Sequence, residues 1–279
     1  FDISRMDRNA DACDDFFQFA NGTWVKNTEV PVSQARWGTF NILGDRNRDI
    51  LRDILDKAVA EKAAKKGSDV QLIGDYYSAC MDEDAIEANG IKPIEPVLEQ
   101  IGKLKTANDV VREIAELHNQ GFPAVFRFGG GRDLKDSNSV IVNSGQSGLS
   151  LPNKDYYTKD DAKMVETRAK FVEYMTKVFD MSGDTPAEAK ANADTVMAIE
   201  MRLAKASKAP VEMRDPDKNY NKIKLSEAQA IIPNLSLKDY MKRRGIPVPE
   251  TLNFGQPDFF KEVNAMLKDV PVDQWKTYF

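Results

Sequence analysis

Side chains suited to covalent or metal chemistry are scarce in this sequence. It holds one histidine, His118, and two cysteines, Cys13 and Cys80. A catalytic zinc usually takes three protein ligands, commonly His with Glu or Cys, and a helical H-E-x-x-H is its usual sign. Here a single His stands in E-L-H-N-Q, far in sequence from both cysteines, so no metal ligand and no catalytic residue is assigned in the chain. His118 falls in the last turn of an expected helix, where a cation or donor favours the terminal carbonyls. A Ser-His-Asp triad would need that same histidine, and no G-x-S-x-G elbow occurs. Gly129-Gly130-Gly131 is no phosphate loop, because Arg132-Asp133 follows where G-K-[ST] would be needed.

Arg36 is the one candidate for ligand binding that position alone picks out. The stretch from Asp14 to Leu55 opens on Phe16, Phe17, Phe19 and Trp24, turns at Pro31 and enters a long helix expected to start near Ser33. Arg36 and Trp37 would then occupy the first turn, where the helix dipole favours Asp or Glu over a cation. An anion brought by a ligand or a packed partner would account for Arg36. Pairing with Asp14 or Asp15, or stacking on Trp37, would account for it equally well.

The remaining elements follow from periodicity and caps. The long helix keeps Trp37, Phe40, Leu43, Ile50, Leu51, Ile54, Leu55 and Ala58 in a 3.6-residue stripe, with Gly38 and Gly44 interrupting and Lys65-Lys66-Gly67 ending it. Ser68 with Gln71 caps a second helix whose Leu72, Ile73, Tyr76, Tyr77 and Cys80 form an apolar face, expected to be buried with Cys80 as a free thiol. Short helices are expected at 82–88 and after Pro93, then one over 107–119 capped by Thr106 and Asp109 and stopped by Gly121. Residues 123–128 and 139–143 alternate as strands around the three glycines, predicting an antiparallel hairpin as the only sheet. Helices over 160–181 and from Thr185 to about Ser207 follow, the second with Thr185 as cap, Pro186 at N1 and Glu188 at N3. The segment 208–224 is polar and irregular, and short helices close the chain at 226–232, 236–244 (capped by Ser236, stopped by Gly245), 257–268 and from Val272. Residues 1–15 read as an extended arm. The fold class is mainly α, with no internal period of a solenoid.

Bulk properties exclude several classes of function. A net charge of −5 leaves no nucleic-acid footprint. No run approaches the ~20 apolar residues of a membrane span. A chain opening on Phe1 rather than Met is expected to be a processed or trimmed product, with no signal peptide of its own.

Four separated blocks carry a family resemblance. They are D-D-F-F-Q-F-A-N-G-T-W with S-x-A-R-W-G-T-F (Asp14–Trp24 and Ser33–Phe40), Tyr76–Asp82, Gly148–Pro152 with Asp155-Tyr156-Tyr157, and Arg214-Asp215-Pro216 with Tyr220-Asn221. In this order they resemble the N-terminal ectodomain of neprilysin-type zinc endopeptidases, which include the endothelin-converting enzymes and bacterial endopeptidase O proteins. The resemblance implies a multi-helical cap domain with one small antiparallel hairpin, enclosing peptide substrates against a thermolysin-like catalytic domain absent from this chain. It implies residues 1–32 as an arm and aromatic segment packing toward that domain, and 33–279 as an incomplete cap. Zinc, its activated water and the general-base glutamate would belong to the missing C-terminal portion, leaving this chain inactive alone. Arg36 matches a family arginine that contacts the C-terminal side of the substrate, often its carboxylate. Where neprilysin adds an acid and a second arginine, this sequence has Asn41 and Gly44, and Arg48 lies one turn on. That difference implies a looser demand for a free carboxylate. The resemblance also implies a periplasmic, secreted or cell-surface location. In animal members the equivalent cysteines bridge to parts beyond Phe279, so Cys13 is not expected to pair with Cys80. The alternative reading is a stand-alone helical binding or scaffold protein that has lost catalysis.

Overall fold

Side-chain caps start several helices where the sequence signals them. The computed structural model describes residues 2–34 and 36–279, which divide into two units, Phe1–Gly90 and Ile91–Phe279. The first unit holds α1 (Phe16–Asn27), α2 (Thr39–Ala60), α3 (Asp69–Cys80) and α4 (Glu83–Asn89). The Asp15 carboxylate accepts from the Gln18 backbone N–H at 2.9 Å and so starts α1, an element that the aromatic cluster had hidden. Ser68 Oγ accepts from Gln71 N–H, while Gln71 returns its side-chain oxygen to Gly67 N–H. α3 lies so close to α2 that a Cβ on Gly74 would sit 2.7 Å from the Ala58 carbonyl oxygen, an approach only glycine permits.

Several expectations for this unit are corrected. α2 starts at Thr39, not Ser33, because residues 31–34 turn through a Gln34 N–H to Pro31 C=O bond and Gly38 stays extended as its N-cap. Arg36 and Trp37 therefore precede the helix, which runs past Gly44 unbroken and ends at Ala60 rather than near Lys65. The apolar stripes have the right period but are open: Phe40 is 90% exposed, and Ile54, Leu72 and Tyr76 are more than half exposed. Cys80 is exposed rather than buried, and both thiols are free. Residues 2–15, expected as part of an extended arm, are not a plain arm. A 3-10 turn over Ile3–Arg5 brings the Arg5 guanidinium over Trp24 at 5.7 Å, and Thr23 Oγ1 donates to Met6 C=O at 2.7 Å.

The second unit holds the core. Its elements are α5 (Glu95–Gly102), α6 (Ala107–Asn119), β1 (Phe126–Arg132), β2 (Val140–Gln146), α7 (Asp155–Thr158), α8 (Ala162–Met181) and α9 (Pro186–Ala206). There follow α10 (Pro210–Met213), β3 (Lys222–Lys224), α11 (Leu225–Ile231), α12 (Leu237–Arg243), β4 (Thr251–Phe254), α13 (Pro257–Asp269) and α14 (Val272–Tyr278). The Thr106–Asp109 and Thr185–Glu188 capping boxes form as predicted. α8 and α9 pack as a hairpin through Met175, Ala193 and Val196. Phe126, Tyr240, Phe254, Phe260 and Trp275 are fully buried at the centre. Each is worth roughly 1.5–3 kcal/mol of transfer free energy.

The hairpin belongs to a larger sheet than expected. Four strands run in the order β1-β2-β4-β3, with β2 and β4 parallel and the outer pairs antiparallel. The glycines at 129–131 do not break β1; they pair in register with Asn143, Val142 and Ile141. The short β2–β4 pairing is reinforced by side-chain amides. Asn253 Nδ2 donates to Asn143 Oδ1 at 2.9 Å, and Gln256 Oε1 accepts from Gln146 N–H.

One cluster fastens this unit together. Val125 is a non-glycine residue with φ of +59°, and Phe126 N–H bonds back across it to Ala124 C=O at 2.6 Å. Its N–H donates to the Tyr278 hydroxyl, which donates to Gly148 C=O at 2.8 Å. A Cβ on Gly148 would lie 2.7 Å from both Tyr278 Oη and Val125 Cα. Ala124 C=O also accepts from His118 Nε2–H at 2.8 Å, which fixes the tautomer, so His118 Nδ1 accepts from the Tyr240 hydroxyl at 2.6 Å. Arg244 in turn donates to that hydroxyl at 2.9 Å. The Gly148–Pro152 loop is held from below by Glu200, which is 2% exposed. It accepts from Ser150 N–H, Ser150 Oγ and the Tyr157 hydroxyl, the last at 2.6 Å.

Two outcomes follow from these buried groups. Burial holds His118 below its ordinary pKa, aided by the Arg244 charge. A depressed pKa means that stability is present above the unfolded value of about 6.5 and lost as pH falls toward the folded one, by at most about 1.4 kcal/mol per pH unit. Urea unfolding across this range should show that loss in the wild type and a shallower one in His118→Gln; equal slopes would refute the assignment. Glu200→Gln leaves one of the three donors facing an amide N–H₂. It should lower unfolding free energy by about 1–3 kcal/mol in the same assay.

Candidate functional site

The turn after Pro31 and the first three turns of α2 converge on one depression of about 560 Å³. Arg36, Asn41 and Arg48, the three residues singled out from the sequence, all line it, together with Trp37, Phe40 and Asp45. Positions 41, 44, 45 and 48 recur at three- and four-residue steps and so share one helix face. Gly44 leaves that face bare, and a Cβ there would meet only Arg48 Nη1 at 3.8 Å.

The charges at the site are unequal. Arg48 pairs with Asp45 one turn back, so its charge is largely offset. Arg36 is exposed, and among the described residues it forms no ion pair; Asp15, one of its candidate partners, caps α1 instead. The N-terminus of α2 carries no side-chain cap and no acid in its first turn. Its free N–H groups add partial positive charge beside Arg36. The result is a cationic spot beside an amide, Asn41, and an apolar rim of Phe40 and Trp37. Such a surface can hold a carboxylate next to an apolar side chain. Its carboxylate, Asp45, is paired with Arg48, and its hydroxyl, Thr39, accepts from Arg5.

The other motifs are structural. His118 has both ring nitrogens engaged, and among the described residues no group of three His, Cys, Asp or Glu is placed to hold a metal. In the Arg214–Asn221 block, Asp215 accepts from the Asp217 and Lys218 N–H groups, and Asn221 Nδ2 donates to Gly255 C=O. Tyr220 donates its hydroxyl to Asp133 at 2.7 Å. Asp133 is 1% exposed and also accepts from Lys135 N–H and Lys222 Nζ. These bonds, led by the Lys135 N–H, lower its pKa to about 2. Sequence reasoning missed Asp133 and Glu200. The only signal for Glu200 was an acid inside the apolar stripe of α9, between Val196 and Leu203.

No helix among the described residues is long and apolar enough to cross a membrane. Among known proteins, neprilysin-3 of Drosophila melanogaster is 29% identical over 287 residues, covering 95% of this chain and 35% of its own length. Human endothelin-converting enzyme 1 is 29% identical over 256 residues, covering 88% and 32% respectively. The crystal structure of the zinc metalloprotease ZMP1 of Mycobacterium tuberculosis, in complex with an inhibitor, superposes on all of this chain. Its TM-score is 0.89 at 28% identity, and the match covers 42% of its own chain. The chain thus spans about a third of the curated relatives it matches. The family model for the N-terminal part of peptidase family M13 matches residues 12–279, and the chain belongs to that family.

Proposed function

We propose that this chain is the cap portion of a zinc metalloendopeptidase and supplies substrate contacts, not the zinc site. The observation that carries the reading is the match over residues 12–279 to the N-terminal family model. Zinc would be bound by a C-terminal catalytic portion, where it would supply the activated water. The part left to this chain is positioning and exclusion of water. Peptides are the substrate class, enclosed between cap and catalytic portion. Residues 1–32 would form the arm that packs toward that portion, and 33–279 the cap. The open stripe of α2 and the exposed Phe16 and Phe17 support a large apolar partner of this kind. The relatives that carry this architecture support a periplasmic, secreted or cell-surface location.

Within the reading, Arg36 takes the substrate's C-terminal carboxylate, helped by the uncapped end of α2. Asn41 offers an amide beside it, and Arg48, paired with Asp45, contributes less. One unpaired guanidinium gives a moderate demand for a free carboxylate, so endopeptidase character should exceed dipeptidyl-carboxypeptidase character. The test compares kcat/KM for free-acid and amidated forms of one peptide in the complete enzyme. Arg36→Ala should cut the free-acid value by about 10–100-fold, largely through KM, and the amide value far less. A free-acid preference untouched by Arg36→Ala would remove the assignment. Zinc content near one per intact protein, lost with the C-terminal portion, would separately support the division of labour.

A further inference from the structure

The β1 strand carries a second binding feature on its open side. In the β1–β2 ladder Asp133 N–H bonds to Ser139 C=O, so the odd-numbered residues of β1 face β2. The parallel partner agrees, since Ser144, opposite Phe128, turns its carbonyl away to Gly255 N–H. Phe128, Gly130 and Arg132 are left with N–H and C=O groups directed outward, and among the described residues no strand pairs there. Natural edge strands of this length are usually guarded by lysine, proline or a bulge. This one reads F-R-F-G-G-G-R, and Gly130 is exposed with its Cβ position open but for Val140 at 3.8 Å.

The sheet face beside that edge is electropositive. A depression of about 550 Å³ is lined by Arg127, Arg214, Gly129 and Gly130 with the amides of Asn143, Asn219, Asn253 and Gln256, and no Asp or Glu lines it. That is unusual on a chain with 44 acids against 39 Lys and Arg. Arg127 lies flat across Gly145, whose missing Cβ would stand 2.8 Å from its Nε. Among the described residues neither arginine meets a carboxylate within 4.0 Å.

From the outward ladder and the acid-free arginine pair together, we infer that β1 takes an extended acidic peptide segment as a fifth strand. Backbone groups of Phe128, Gly130 and Arg132 pair with the peptide main chain, and its outer-face carboxylates reach Arg127 and Arg214. This surface shares no lining residue with the Arg36 depression, and the inference does not depend on the chain being part of a peptidase.

The test uses the 279-residue chain and a fluorescein-labelled peptide of about eight alternating Glu and Val residues, a typical strand length. A Lys-Val peptide of the same length is the control. Fluorescence anisotropy should show binding of the acidic peptide only, weakened by salt. Gly130→Pro removes one outward N–H without touching the β1–β2 bonds and should weaken binding about tenfold or more, whereas Gly130→Ala keeps the N–H and should not. Arg127→Gln with Arg214→Gln should weaken it similarly. Hydrogen exchange should slow at the amides of Phe128, Gly130 and Arg132 on binding, and thermal melts confirm that each variant is folded. Equal binding of both peptides, or of Gly130→Pro and wild type, overturns the inference. So does binding that needs the arginines but leaves those three amides unprotected, which would make the site an anion cup and not a strand acceptor.

Discussion

The second unit depends on a strained turn at Val125. A β-branched residue at positive φ is unfavourable by on the order of 1–3 kcal/mol and persists only where its surroundings over-determine it. Here those surroundings come from four places distant in sequence: His118 at the end of α6, Gly148 ahead of α7, Tyr278 in α14 and, through Tyr240, Arg244 beyond α12. The turn points Phe126 into the core and sets the start of β1. It also places Gly148 so that Ser150 can reach Glu200. The only histidine in the sequence is thus a structural clasp: burial lowers its pKa, and Ala124, which can only accept, holds the proton on Nε2.

Much of the local structure was legible because its signals are local. Caps at Ser68, Thr106 and Thr185 and stops at Gly121 and Gly245 put helix ends close to where they lie. What escaped reading was non-local or lacked hydrophobic contrast. β3 and β4 have three and four residues and are tied by asparagine amides, so no alternation announces them. β1 survives three glycines because its neighbour fixes the register. The N-terminus of α2 was misplaced because the expected start near Ser33 falls inside the turn closed by Gln34 N–H on Pro31 C=O. The three proposed site residues do meet in one depression: Asn41 and Arg48 share a helix face through their seven-residue spacing, and Arg36 joins them from the turn that precedes α2. Burial was the weakest inference. Periodicity specifies which side chains share a face, not whether that face finds a partner.

Arginine, not histidine or carboxylate, marks both proposed binding surfaces. In each case, among the described residues, the guanidinium stands without an acid partner while glycines and amides line the surface beside it. The acids of the chain are largely engaged elsewhere: Asp133 and Glu200 in buried networks, and Glu262 and Asp269 on Arg202 between α9 and α13. A chain of net negative charge can present local positive sites only by segregating its carboxylates in this way.

Every buried apolar side chain among the described residues lies beyond residue 100, and in the first unit only Gly22 and Gly74 are buried. Helices without an enclosed core draw their stability from a partner. Cooperativity should differ accordingly between the two units. A differential scanning calorimetry trace of the isolated chain should show one sharp transition carried by Ile91–Phe279. Its enthalpy should fall well below the roughly 0.7 kcal/mol per residue expected if all 279 residues melted as one.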